Sequence, residues 1–248
     1  MNVQNSPRAR FDVQILDKPS DINRLSELSS YLGTHETVAT FAYTKVVNEA
    51  PKNEKLYNLF HDSLLEAERI KKIVLNTIVN IGLKRNPSDI LKSSQDLKEA
   101  SKCTVVVAYD STKKNLPQAI GVIRTDTSLN GTKSIEIINL MTSLWNLGDT
   151  STAIIDKVIA AWRLNNLHYV NQSYKENQAK DAAAAILEFC TRLGKEQNAK
   201  SLHVSVNSAA LPFFNKHGFK PIEGSKPDIL KRQPIFINLD NEAKSTAS

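Results

Sequence analysis

Leu202-His-Val-Ser-Val206 runs directly into Asn207-Ser-Ala-Ala210-Leu-Pro-Phe213-Phe214-Asn-Lys-His-Gly218-Phe219, and the reading of this stretch decides the fold. Leu202, Val204 and Val206 alternate with His203 and Ser205, the pattern of a strand with one buried face. Asn207 stands where a helix cap belongs, because Asn is among the best residues for bonding the free N–H groups of a first turn. A short helix over 209–216 follows, and Gly218 ends it by accepting a left-handed backbone.

Outward from this stretch the chain alternates between strand and helix periods. Upstream, residues 181–197 predict a helix whose Ile186, Phe189, Cys190 and Leu193 make one apolar face. Downstream, Gln233-Pro-Ile-Phe-Ile-Asn-Leu239 reads as a last strand. Further back, 103–109, 118–124 and 134–141 are β-prone runs separated by polar turns, one containing Asn130-Gly131, so they predict an antiparallel meander. Residues 11–17 alternate as a first strand. Pro19-Ser20-Asp21 then opens a helix with Ile22, Leu25, Leu28 and Leu32 at helical spacing, for which Gly33 is the predicted C-terminal cap. From 36 to 85 the pattern stays helical and is broken once, at Pro51; a further short helix is predicted near 89–98. The order β-α-α, three hairpin-linked strands, then α-β-α-β predicts an α/β fold: a mixed, mostly antiparallel central sheet with helices on both faces.

Composition narrows the function classes. The 248 residues suffice for a sizeable core, and 41% hydrophobic with 23% charged residues is ordinary for a globular protein. A net charge of +6 favours anionic partners. Lys and Arg are dispersed, with no aromatic-interleaved basic stretch, so nucleic acid is not the expected partner. The two cysteines, Cys103 and Cys190, lie in separate apolar patterns and read as free thiols of a reducing compartment. No signal peptide is read in 1–10, and no apolar run reaches the roughly 18 residues that a membrane span needs. The expectation is a cytoplasmic protein without a membrane partner, although secretion by a dedicated machine would leave no such signal. The polar ends, 1–10 and 241–248, are expected to be flexible.

The quoted stretch also carries a resemblance. Asn207-x-x-Ala210-x-x-Phe213-Phe214-x-x-x-Gly218-Phe219 resembles the end of the core of the GNAT acyl-CoA N-acyltransferases, where N-x-x-A-x-x-F/L-Y is followed by G-F. Phe214 stands where the pattern has Tyr. The resemblance implies one GNAT-like domain over 11–240, with an enlarged helical region at 36–100 and a helical insertion at 150–170. It also implies acetyl-CoA as cosubstrate, with its pantetheine arm lying in a splay between two central strands. Leu140, Met141 and Thr142 would then lie along the arm, and Asn207 would bond it from the other side. The family's Q/R-x-x-G-x-G/A loop, which closes on the cofactor's pyrophosphate at a helix N-terminus, matches Gln178-Ala-Lys180-Asp181-Ala182-Ala183.

Two departures bear on chemistry. Asp181 replaces the first loop glycine, and a carboxylate about 5 Å from a phosphate costs on the order of 3 kcal/mol at an effective dielectric near 20. Lys175 and Lys180 would offset part of that cost. The plainer reading of Asp181 is an N-cap. Phe214 cannot protonate a leaving thiolate, as the family's Tyr does, and reads by itself as a core ring. Glu136, on the third meander strand, is the expected general base, with a solvent-facing strand residue as its plain reading. The function implied is transfer of an acetyl group to a primary amine of a protein or small molecule. The alternative is a GNAT-fold binding module that has lost turnover and works through its added helices.

Overall fold

The computed structural model describes residues 11–49, 54–82, 95–110, 117–143, 181–208, 210–228 and 232–240. The expected insertion at 150–170, the loop residues Gln178 and Lys180, most of the short helix expected at 89–98, and both polar ends lie outside the described residues.

The strands are β1 (Phe11–Leu16), β2 (Thr104–Asp110), β3 (Pro117–Leu129), β4 (Thr132–Thr142), β5 (Ser201–Val206), β6 (Lys220–Pro221) and β7 (Gln233–Asn238). The helices are α1 (Ile22–Glu49), α2 (Glu54–Gly82), α3 (Gln95–Ser101), α4 (Ala182–Glu196) and α5 (Leu211–Lys216). The strands form one seven-stranded sheet in the order β1-β2-β3-β4-β5-β7-β6. Every neighbouring pair is antiparallel except β4 and β5. The mixed, mostly antiparallel sheet expected from the element order is the sheet observed.

Why the central strands read as nearly continuous apolar runs is clear from their surroundings. Val106 and Ala108 pack with Ile186 and Cys190 of α4 on one face, while Val105 and Val107 pack with Leu25, Leu28, Ile70 and Val74 of α1 and α2 on the other. A strand covered on both sides needs apolar residues at every position. Gly121 in β3 belongs to this packing, because a Cβ there would stand 3.1 Å from Ile186 Cγ2.

Gly33 is not a cap: α1 runs through it without a break to Glu49. A glycine inside a helix costs about 1 kcal/mol relative to Ala. The stripe of Leu25, Leu28 and Leu32 continues beyond it as buried Val38, Ala39, Ala42 and Val46, and burial of those side chains outweighs that cost. Lys71 of α2 lies over the glycine and reaches Glu36 at 2.9 Å. The meander turn is also tighter than the spacing suggests. β3 extends to Leu129, and Asn130 and Gly131, with φ of 52° and 77°, make the connection. Both cysteines are free, Cys190 being buried and pushed up to about 12 by desolvation. None of the described helices is long and apolar enough to cross a membrane.

Candidate active site in the splay between two strands

β4 and β5 pair only from Ser134↔Ser201 to Ile137↔Val204. Past that point, among the described strands, β4 continues to Thr142 paired only with β3, and β5 continues to Val206 paired only with β7. The two strands therefore splay apart. The cause is local: between Val122↔Asn139 and Ile123↔Ile137 the register slips by one residue, so Ile138 is an extra residue on β4. Such a bulge bends its strand and strengthens its twist, and it falls immediately after the last residue that β4 shares with β5.

Leu140, Met141 and Thr142 follow Asn139 as the last residues of β4 beyond this bulge. On one side they pair with Gly121, Ile120 and Ala119 of β3, and on the other no described strand meets them. Backbone groups on that inner edge need partners that the sheet does not provide. Across the gap, Asn207 ends β5. Its Oδ1 accepts the Ala210 N–H at 2.8 Å, so it caps the turn into α5 as its residue type predicts. Phe214 is buried, edge-to-face with both Phe213 and Phe219 at 5.2 Å, and is a core ring.

Asp181 precedes α4 at the cap position, but its side chain makes no cap hydrogen bond. Its backbone is left-handed, with φ 72° and ψ 9°, a conformation that glycine adopts freely and Asp tolerates at a cost. The residue that the resemblance would put in a glycine's place thus has a backbone that glycine adopts freely. Ala182 and Ala183, immediately after it, are buried.

Glu136 lies in the paired part of β4, beside His203 of β5. Arg124 holds its carboxylate at 3.0 Å and holds Glu99 at 3.1 Å with its other nitrogen. His203 presents a buried Nδ1 that has no partner among the described residues, and burial lowers its pKa against the pull of Glu136.

Sequence reading missed the carboxylates that reach the splay itself. Asp62 and Glu66 stand one turn apart on α2, at the flank of its buried stripe. Asp62 accepts the Asn207 amide at 2.6 Å, and Glu66 accepts the amide of Asn139, on the part of β4 that has left β5. One turn of α2 therefore bridges both lips of the splay. Burial raises the pKa of each carboxyl; the Asn139 hydrogen bond, Arg69 and Arg232 oppose it at Glu66, and Asp62 adds to it. Beside Asp62 lies His61, stacked on Tyr57 at 6.0 Å and 5.8 Å from Tyr43. The signal that could have found the pair is its spacing: two acids at i and i+4 bordering an apolar helical stripe.

The mixed sheet, its three-stranded meander, the splay between β4 and β5 and the turn from β5 into a short helix are what the resemblance implies. This is the GNAT architecture. No protein-family model matches the chain, and no curated protein sequence matches it. Solved GNAT-fold structures are similar to it at low identity. The PaiA N-acetyltransferase of Thermoplasma acidophilum in complex with coenzyme A is 10% identical, with 92% of this chain and 99% of that one covered and a TM-score of 0.40. A variant AtaT toxin bound to the C-terminus of the antitoxin AtaR is 12% identical over 61% of this chain and 78% of that one, with a TM-score of 0.36. Nourseothricin acetyltransferase is 12% identical over 55% and 64%, with a TM-score of 0.33. It is the strand order and pairing of this chain, not these low-scoring superpositions, that define its GNAT fold.

Proposed function

We propose that this chain is an N-acetyltransferase that moves an acetyl group from acetyl-CoA to a primary amine. The observation that carries the reading is the bulged splay. It leaves backbone edges of β4 and β5 without a partner among the described strands, and a ligand arm with its own amide groups fits such a gap as an added strand would. The residues present fit that ligand. Leu140, Met141 and Thr142 line the β4 edge, Asn207 offers an amide on the β5 side, and Asp181–Ala183 open the α4 N-terminus, where a helix dipole favours phosphate. When bound, acetyl-CoA supplies the activated acyl thioester.

Two features of the chain limit affinity. The Asn207 donor is held by Asp62, so an arm that uses that donor must displace a carboxylate. Asp181 places a negative charge at the phosphate end. Gln178 and Lys180 belong to the same loop by resemblance, and Lys180 would oppose that charge. Without the family's Tyr at position 214, the leaving thiolate takes its proton from solvent. The acceptor is a small amine or a protein amine, and a cytoplasmic setting suits a supply of acetyl-CoA.

Calorimetry with acetyl-CoA tests the reading, with Asp181→Gly measured beside the natural protein. Micromolar binding by the natural protein, roughly tenfold tighter in the variant, is the expected result. Absence of binding in both proteins sinks the acyltransferase reading and leaves a binding module built on the same fold.

A further inference from the structure

We propose that Glu66, on α2 at the mouth of the splay, is the group that takes the proton from the acceptor amine. The inference rests on the acyltransferase reading above and adds a residue to it.

Position is the first argument. An attacking amine must approach the acyl carbon where the open edge of β4 lies, and Glu66 bonds Asn139, the residue next to the bulge at Ile138 on that edge. The contact joins residues 73 positions apart in sequence, so it is the packing of α2 over β4 that places the carboxylate there. Glu136, by contrast, lies below the splay in the paired region and is engaged by Arg124. Asp62 is committed to Asn207 at 2.6 Å and flanked by His61 at 3.7 Å. Of these three carboxylates, Glu66 is the one that reaches the part of β4 that has left β5.

Protonation state is the second. At pH 7 an amine acceptor arrives as an ammonium and must lose a proton before its lone pair can attack. A surface carboxylate is too weak a base to help much. Glu66 is mostly withdrawn from water, which makes its charged form less favourable and the carboxylate more basic. The charged groups facing it are Arg69 at 3.7 Å and Asp62 on its own helix, and Arg232 from the segment before β7. The two arginines oppose that rise and favour the charged form, while Asp62 favours the protonated form. Its side chain retains 28% of its exposure, so an amine can reach it.

The step balances. The ammonium gives one proton to a Glu66 carboxylate oxygen, and the freed nitrogen forms the C–N bond to the acyl carbon and loses a second proton to solvent as the amide forms. The C–S bond breaks, and the sulfur leaves with the electron pair to be protonated by solvent. Glu66 then returns its proton to water.

The test compares natural protein and Glu66→Gln in acetyl-CoA binding, in release of the free CoA thiol with spermidine, a lysine-containing peptide and a peptide with a free α-amine, and in carboxyl titration by NMR. Glu66→Gln is expected to bind acetyl-CoA as the natural protein does and to transfer about 10²–10⁴-fold more slowly. It should also lose the rise of rate with pH that marks ionisation of the base, and Glu66→Asp should restore part of both. Equal turnover in Glu66→Gln, an unchanged pH profile, or a Glu66 carboxyl titrating at or below the ordinary 4.5 would overturn the proposal. Binding of acetyl-CoA without turnover of any of the three amines also counts against Glu66 as a base. Failure of the natural protein to bind acetyl-CoA is the separate result that removes the acyltransferase reading.

Discussion

At the scale of single residues, Asp181 is where type and conformation disagree most. Read from sequence it has two ordinary roles, a cap or a substituted glycine, and residue type alone favours the cap. The backbone at φ 72° with no side-chain cap bond favours the second. A left-handed conformation costs an L-residue about 1–2 kcal/mol, and glycine returns about 0.5–1 kcal/mol of that through its unfolded-chain entropy. Asp181→Gly is therefore expected to raise the free energy of unfolding by roughly 0.5–1 kcal/mol, read from urea denaturation at constant slope. A loss of stability would mean that the carboxylate has a partner role at the helix start. Asn207 shows the opposite case: its sequence-predicted cap is present, and the bond from its amide to Asp62 could not be read, because that partner lies 145 residues away.

At the scale of elements, the helix pair α1 and α2 was legible as a pair but not in its packing. That α1 ends at Glu49 and α2 begins at Glu54 agrees with a break expected from Pro51, a residue type that cannot continue a helix. That α1 passes through Gly33 does not follow from local rules, since the buried stripe on either side overrides a local stop signal. Between the two helices His35 Nε2 meets Ser63 Oγ at 2.9 Å in a fully buried position, and desolvation lowers the His35 pKa from 6.5 to about 3. The folded state thus holds this ring neutral where the unfolded chain protonates it. Its contribution is complete above the unfolded value and is lost as pH falls from about 6.5 toward about 3, at up to about 1.4 kcal/mol per pH unit. His35→Gln keeps a hydrogen-bonding side chain without the titration. Melting curves of the variant and the natural protein should converge in slope above pH 7 and diverge below 6, with the natural protein falling faster. Parallel curves would place His35 in contact with water.

At the scale of the whole molecule, the sheet is clamped between α4 on one face and α1 with α2 on the other, and Ile186 is the contact that brings α4 down onto Gly121. Ile186→Ala removes a fully buried side chain at a site that neighbouring strands hold open, with an expected cost of about 2–5 kcal/mol in thermal or urea unfolding. A cost below about 1 kcal/mol would mean that α4 is loosely seated. The order of elements, the antiparallel meander, the helices on both faces of the sheet and the turn from β5 into α5 were all legible in the chain. Each of these is written in a local period of two or 3.6 residues or in a turn residue such as Asn130, Gly131 or Gly218. The bulge at Ile138, the point at which β4 and β5 part, and the placing of Asp62 and Glu66 across the splay became visible only in the folded chain. A bulge is a register difference between two strands, and a bridging helix is a contact between distant segments. Neither leaves a period in the chain that forms it.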